Sequence, residues 1–282
     1  MENIIITNPE RWGKIKEKFK TGDAQQLQVI SDFDRTLTTN FIDGKKAPSL
    51  LGILREGNYL TADYSAKAQA LADKYRPIEI DPLISIEEKK IAMEAWWRQH
   101  FDLLIASNLD KIEIEKALHQ NSLSLRTGAT EFFSFLQQRA IPLVIFSASG
   151  LGEEGIRFIL KEKQLMFDNI FIVSNAFSWN EQGQALAVRE PIIHSFNKDE
   201  TVLQDFSGFN KIKERKNVIL LGDTLGDIGM VKGLDYDNLI KIGFLNEEAE
   251  KSLEAFQQAY DLIILNDGSL EIVNNILKEI IL

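Results

Sequence analysis

The chain predicts an α/β fold: a mainly parallel, Rossmann-type sheet covered on both faces, with a helical segment inserted after the first core strand. Three observations predict it. Short apolar runs bounded by Gly, Asp, Asn or Ser recur along the sequence. Segments with helical spacing of apolar residues lie between them, which is the α/β alternation. One stretch, from about Gly44 to Arg126, carries helical patterns but no convincing strand. At about 100–200 residues per domain, a chain of 282 allows a core with a smaller companion. The expected division is 1–43 and 127–282 for the core and 44–126 for the helical insertion.

Strands are expected over 27–31, 142–147, 170–174, 217–221, 239–244 and 262–265. These are largely continuous apolar runs rather than alternating ones, as strands buried on both faces require. Helices fill the gaps over 130–139, 153–164, 201–213, 247–260 and 270–282. Within the insertion they are expected over 64–74, 86–101 and 109–119. In such a sheet, ligands sit at the carboxyl ends of the strands, and an insertion after the first strand overhangs that edge.

Composition narrows the function. Lys plus Arg number 32 against 42 Asp plus Glu, a net charge of −10, which argues against a nonspecific grip on long nucleic acid or an anionic membrane. Cysteine is absent, removing disulfides, thiolate metal sites and cysteine nucleophiles together. No apolar run approaches the ~18 residues of a membrane span, and Met1-Glu2-Asn3 lacks the layout of a secretion signal. A soluble cytoplasmic protein is expected. The hydrophobic fraction of 44% and charged fraction of 26% exclude a disordered chain.

Two acidic motifs carry the chemistry. Asp32-Phe33-Asp34-Arg35-Thr36 follows the first strand, and carboxylates two residues apart on extended backbone point the same way. Their repulsion calls for a cation or a catalytic pair; the alternative is a turn in which the aspartates cap a helix. Gly222-Asp223-Thr224-Leu225-Gly226-Asp227 follows the apolar strand 217–221, with Asp227 about one helical turn beyond Asp223. If the two strands are neighbours, Asp223 meets Asp32 and Asp34. Hard oxygen donors without thiol or suitably spaced imidazole favour Mg2+ over zinc or copper. Ser147-Ala148-Ser149-Gly150 offers a hydroxyl and backbone N–H groups at a helix start, either an anion seat or an ordinary N-cap. Lys198, in a loop ahead of the second motif, is either solvated surface or a point charge for phosphate. One chemical assignment follows: Asp32 attacks phosphorus, while Asp34 protonates the leaving oxygen and then deprotonates water.

In this order the motifs resemble the haloacid-dehalogenase superfamily of phosphohydrolases. Further blocks resemble its cytosolic pyrimidine 5′-nucleotidases: Leu27-Gln28-Val29-Ile30-Ser31-Asp32-Phe33-Asp34, Tyr75-Arg76-Pro77-Ile78-Glu79-Ile80-Asp81-Pro82, Glu87-Glu88-Lys89, Ile145-Phe146-Ser147-Ala148, Ile193-His194-Ser195-Phe196-Asn197-Lys198, Leu220-Leu221-Gly222-Asp223 and Lys241-Ile242-Gly243-Phe244-Leu245-Asn246. The resemblance implies a haloacid-dehalogenase-like core with an inserted helical cap. It also implies Mg2+-dependent hydrolysis of nucleoside 5′-monophosphates, pyrimidine ones foremost. On this basis Asp32 is the nucleophile and Asp34 the proton donor. The side chains of Asp32 and Asp223 and the carbonyl of Asp34 hold magnesium, with Asp227 behind them. Ser147, Ala148 and Lys198 hold phosphate, and Glu79 contacts the base. A carboxylate there accepts from an exocyclic amine, favouring cytidine monophosphate. His100 stands where the family has a base-contacting serine, a departure that bears on base preference. Tyr64, Trp96 and Trp97 are stacking candidates or simply core.

Two rival readings remain, beside that of a phosphatase of the same superfamily acting on another small phosphate ester. Gly150-Leu151-Gly152-Glu153-Glu154-Gly155 fits the G-x-G-x-x-G fingerprint of a dinucleotide-binding oxidoreductase, although two glutamates would sit where pyrophosphate must lie and 174–175 lacks the acid that holds ribose. The other is a catalytically silent protein that uses the acidic pocket only to hold a cation. The three histidines, His100, His119 and His194, have no metal-ligand spacing. Nothing in the sequence specifies a protein partner.

Overall fold

The computed structural model describes residues 3–57, 59–81, 83–121, 123–199 and 208–281. Its centre is a seven-stranded sheet in the order β1-β11-β10-β9-β2-β5-β6. The strands are β1 (Ile4–Ile6), β2 (Leu27–Ser31), β5 (Leu143–Ser147), β6 (Ile170–Ser174), β9 (Asn217–Gly222), β10 (Asn238–Leu245) and β11 (Leu262–Leu265). All neighbours pair in parallel except β1, which runs antiparallel to β11. Every residue of β2, β5 and β9 is buried. Alternate side chains enter different cores: Val29, Ile145, Ile219 and Leu221 join one cluster, while Ile30, Val144, Phe146, Val218 and Leu220 join another. A strand covered on both faces has no polar side to alternate with, hence the unbroken apolar runs.

Helices α1 (Pro9–Lys20), α6 (Ala129–Gln138), α7 (Gly152–Glu162), α8 (Phe209–Ile212), α9 (Ala249–Ala259) and α10 (Glu271–Ile281) accompany the sheet. Between β2 and α6 lie α2 (Leu50–Glu56), α3 (Tyr64–Ile80), α4 (Ile86–Ala106) and α5 (Lys111–Gln120). Leu50, Ile53, Tyr64, Phe101 and Ile114 from these helices belong to the same apolar cluster as Val29 and Ile145. Ser85 starts α4 with a reciprocal cap: the Glu88 N–H donates to Ser85 Oγ at 3.3 Å, and the Ser85 N–H donates to Glu88 Oε2 at 3.2 Å.

The six expected strands agree with the sheet to within a residue or two, and several differences are informative. The stretch beginning at Gly44 is not free of strand: β4 (Lys45–Lys46) pairs antiparallel with β3 (Phe41–Ile42), and isolated bridges join Thr38 to Leu125 and Asp110 to Gln184. Such pairs are too short for a period of two to show. The hairpin of β7 (Phe177–Trp179) and β8 (Ala185–Val188) escapes for the same reason. Terminal β1 has only three residues, and α1 buries only Trp12 and Phe19, so its apolar stripe is faint. Helix α3 runs past Pro77 to Ile80, with the Asp81 N–H donating to the Pro77 carbonyl at 3.1 Å. A helix ending before the proline would leave Glu79 in a loop. The helix expected over 201–213 is described only as α8, since 200–207, like Leu282, lie outside the described residues. Past Asp223 the chain forms a 3-10 helix, Leu225–Val231. Among the described residues no helix is long and apolar enough to cross a membrane.

Candidate active site

Strand pairing brings the two acidic motifs together. Ser31 is opposite Leu221, and the Asp32 N–H donates to the Leu221 carbonyl at 3.0 Å, extending the β2–β9 ladder to the carboxyl edge. Asp32 and Asp223 therefore leave adjacent parallel strands at the same end. Lys198 reaches in between, with Nζ donating to Asp32 Oδ1 at 2.5 Å and to Asp227 Oδ1 at 2.9 Å. The side chains of Asp32, Lys198 and Asp227 are only 7%, 7% and 3% exposed, so their charges act on one another with little screening by water. Asp227 is held from the other side: the Asp223 N–H, the Thr224 N–H and Thr224 Oγ1 donate to its Oδ2 at 3.1, 2.9 and 2.9 Å.

Electrostatics follow from this crowding. Burial raises the pKa of Asp32 to about 7; Lys198 opposes the shift, and Asp227 and Asp34 add to it. Burial, with the charges of Asp32 and Asp227, puts Asp223 well above the ordinary carboxylate range. Asp34 is raised mainly by burial, against the Leu50 N–H, which donates to its Oδ1 at 3.2 Å. Burial disfavours the Lys198 ammonium, but Asp227 and Asp32 outweigh it and hold the pKa above the usual lysine value. A site with more buried carboxylates than ammonium groups favours a further cation. Among the described residues no group of three or more His, Cys, Asp or Glu side chains is gathered to hold a metal. The expected donor set needs only two such side chains, Asp32 and Asp223, completed by a backbone carbonyl. Its all-oxygen chemistry fits magnesium, which keeps several waters.

Next to this centre, Ser147 ends β5 opposite Ser174 of β6. Beyond it, Ala148, Ser149 and Gly150 turn into α7. A β-carbon on Gly150 would fall 2.8 Å from the Leu51 methyl groups and 2.9 Å from the Trp97 ring, so the insertion rests directly on this loop. Gly152 adopts φ +66°, and a β-carbon there would approach the Asn175 carbonyl to 2.6 Å. Gly155 faces Leu151. The glycines of the G-x-G-x-x-G run thus serve close packing and a turn, and Glu154 accepts from Trp179 Nε1 at 2.6 Å.

Asn175, which in the sequence stands only as the absence of an acid, is a brace of the site. Its buried Nδ2 donates to the Ser149 carbonyl at 3.1 Å and the Ile193 carbonyl at 3.0 Å, and its Oδ1 accepts from the Ile193 N–H at 2.8 Å. It joins the Ser147 loop to the loop carrying Lys198. That second loop is internally braced by Asn197, whose Oδ1 accepts from the His194 N–H at 2.7 Å and whose Nδ2 donates to the Ile192 carbonyl at 2.8 Å.

Glu79, on the last turn of α3, meets the same loop. Ser195 Oγ donates to its Oε1 at 2.7 Å, and Arg76 Nη1 donates to its Oε2 at 2.5 Å. His100 lies deeper: it is 2% exposed, its Nε2 is 3.2 Å from Tyr64 Oη, and it packs edge-on to Trp97. Burial, with Arg55 nearby, lowers its pKa to about 4, leaving it neutral. Trp96 stacks between Tyr75 and Trp97 at centroid distances of 5.9 and 6.1 Å. The structure therefore sets Asp32 and Asp223 on adjacent strand ends with Asp34 two residues on, ties Lys198 to Asp32 and Asp227, sets Ser147 and Ala148 on the adjoining strand end, brings Glu79 against the Lys198 loop, and buries His100 edge-on to Trp97.

This sheet order with acidic motifs at its carboxyl edge defines a phosphohydrolase of the haloacid-dehalogenase fold. Solved structures agree: a phosphoserine phosphatase covers 88% of this chain, and 97% of its own, at TM-score 0.53 and 18% identity, a likeness of fold alone. The chain belongs to the pyrimidine 5′-nucleotidase (UMPH-1) family, whose profile matches residues 35–281. It is similar to the 7-methylguanosine phosphate-specific 5′-nucleotidase A of Xenopus laevis, with 36% identity over 98% of this chain and 95% of that one. The corresponding Homo sapiens enzyme is 34% identical, over 99% and 92%. The crystal structure of cytosolic 5′-nucleotidase IIIB bound to cytidine superposes with TM-score 0.91 at 30% identity, over 99% of this chain and 94% of that one. The protein is a phosphoric monoester hydrolase, a 5′-nucleotidase, which displaces the dinucleotide-binding alternative.

Proposed function

We propose that the protein hydrolyses nucleoside 5′-monophosphates to nucleoside and phosphate through a phosphoaspartate at Asp32. The observation that carries this reading is the juxtaposition of Asp32 and Asp223 at adjacent strand ends, with Lys198 bonded to both Asp32 and Asp227. The Asp32 carboxylate forms a bond to phosphorus as the bond from phosphorus to the 5′ oxygen breaks, and Asp34 gives that oxygen its proton. Asp34 then takes a proton from water, whose oxygen bonds to phosphorus as the bond to Asp32 breaks. The Ser147 hydroxyl, the Ala148 N–H and the Lys198 ammonium hold the phosphate oxygens. Asp32, Asp223 and the Asp34 carbonyl would hold Mg2+, which supplies charge neutralisation and polarisation of the phosphate when bound. Residues 44–126 act as a cap, a role supported by the contact of Leu51 and Trp97 with Gly150.

Glu79 reads the base. An acceptor-only carboxylate matches the exocyclic amine of cytosine, and equally the N1–H and N2 amine edge of 7-methylguanine, whose positive charge it also complements. Two observations support keeping both substrates: the relatives named for 7-methylguanosine phosphate and the cytidine-bound structural neighbour. A uracil carbonyl at that position offers Glu79 nothing to accept. A cytoplasmic location is supported by the relative named putative cytosolic 5′-nucleotidase 3 of Caenorhabditis elegans.

The test is phosphate release from a panel of nucleoside monophosphates, with Mg2+ and with a chelator. Expected are turnover of cytidine and 7-methylguanosine monophosphates above that of uridine monophosphate, loss on chelation, abolition in Asp32→Asn, and a higher Mg2+ requirement in Asp223→Asn. Full activity of both variants, or activity indifferent to chelation, refutes the assignment.

A further inference from the structure

The chain re-enters the core from the insertion at Arg126, a guanidinium with no exposed side-chain surface. It makes five hydrogen bonds, matching its five N–H donors. Nε donates to the Thr36 carbonyl at 2.7 Å, and Nη1 to Asp267 Oδ1 at 2.8 Å and the Gly268 carbonyl at 2.7 Å. Nη2 donates to Asn246 Oδ1 at 2.7 Å and to the Arg35 carbonyl. The guanidinium also lies over the Phe244 ring, 4.3 Å from its centre.

Two of these acceptors are the backbone carbonyls immediately after Asp34. Arg35 sits at φ +63°, a conformation a non-glycine residue holds only where its surroundings impose it. Asn246 Nδ2 donates to the same Arg35 carbonyl at 3.0 Å, and the Arg35 N–H donates to Thr38 Oγ1 at 2.8 Å. Asp267 accepts from the Asn40 and Phe41 N–H groups at 2.8 and 2.9 Å, while the Arg126 N–H donates to the Leu37 carbonyl at 2.9 Å. One buried cation thus ties both crossings between core and insertion to the ends of β10 and β11, and clamps the turn that aims Asp34.

We propose that Arg126 is a positioning residue for the reaction: by fixing the Arg35–Thr36 backbone it sets where Asp34 stands against the leaving oxygen, without touching substrate. This rests on the reading of Asp34 as proton donor. The consequence is selective. In the first step, misplacing the donor penalises an alkoxide leaving group, which needs a proton, and spares a thiolate, whose conjugate acid has a pKa of about 8.5; the later attack of water, where Asp34 is the base, is the same for both esters. Lysine keeps the charge at 126 but has three donors on one nitrogen and cannot span these acceptors.

The experiment measures the single-turnover release of nucleoside or 5′-thionucleoside, the step before water attacks, from the preferred nucleoside 5′-monophosphate and from its 5′-S-phosphorothiolate, in which sulfur bridges phosphorus and C5′, for the wild type, Arg126→Lys, Asn246→Ala and Asp34→Asn. Arg126→Lys is expected to lower the single-turnover release rate on the oxygen ester by about 10- to 100-fold, with the half-saturating substrate concentration and the sulfur-ester release rate kept within about threefold. Asn246→Ala, which removes two bonds of the clamp, shows the same selectivity in smaller measure and serves if Arg126→Lys does not fold. Equal loss on both esters, with Asp34→Asn still selective, overturns the positioning role. If Asp34→Asn itself loses both rates equally, the proton-donor reading fails and the inference falls with it.

Discussion

Replacing Lys198 by methionine keeps the apolar stem but removes the ammonium bonded to Asp32 and Asp227. The aspartates cannot stay as they are, because a lone charge in this setting costs about 3–5 kcal/mol once its partner is gone. They can instead take up one proton in place of the lysine's charge. With the lysine present Asp32 titrates at about 7, so at pH 5 it is protonated with or without the lysine, and the wild type holds its charge chiefly above pH 7. The deficit is then about 3–5 kcal/mol at pH 8, where the lysine's loss leaves ionised carboxylates unpaired, and smaller at pH 5. At about 2 °C per kcal/mol for a chain of this size, Lys198→Met melts about 6–10 °C below the wild type at pH 8 and less far below it at pH 5. Thermal unfolding by circular dichroism in chelator-treated buffer measures both values. A deficit under about 2 °C at pH 8, or one that does not shrink on acidification, refutes the reasoning that Lys198 compensates these carboxylates.

Two other outcomes are expected. His100, held neutral with its pKa lowered to about 4 from 6.5, contributes stability that is complete above pH 6.5 and is lost as pH falls toward 4, by up to about 3 kcal/mol; urea unfolding of wild type and His100→Gln across that window should converge at low pH, and parallel curves exclude the effect. Glu79→Ala should cut turnover of cytidine and 7-methylguanosine monophosphates by about 1–3 kcal/mol in kcat/KM, roughly 5- to 150-fold, while leaving a base-free phosphate ester nearly unchanged; equal losses remove Glu79 from base reading.

The central strands and both acidic motifs were legible along the chain because their signals are local. Buried parallel strands must be apolar throughout, and a carboxylate at a strand end needs only its own segment to be noticed. Lys198, Ser147 and Glu79 could be named through the order of the motifs and the resemblance they carry. The β3–β4 and β7–β8 hairpins, the extension of α3 past Pro77 and the terminal β1 are short or depend on distant partners, so no periodicity marks them.

Asn175 and Arg126 show what local pattern does not contain. Asn175 joins two loops that enter the site from different strands, and Arg126 gathers carbonyls and side chains separated by more than one hundred residues of chain. Their importance lies in which acceptors the fold delivers to them, and nothing about an asparagine or an arginine in sequence announces that. The chain by itself determined the sheet's strands and the chemical groups at their ends. Only the tertiary structure decided that one ammonium serves Asp32 and Asp227 together, that Glu79 rests on the Lys198 loop, and that His100 is buried against Tyr64 and Trp97, because burial and charge compensation arise between segments that meet only on folding.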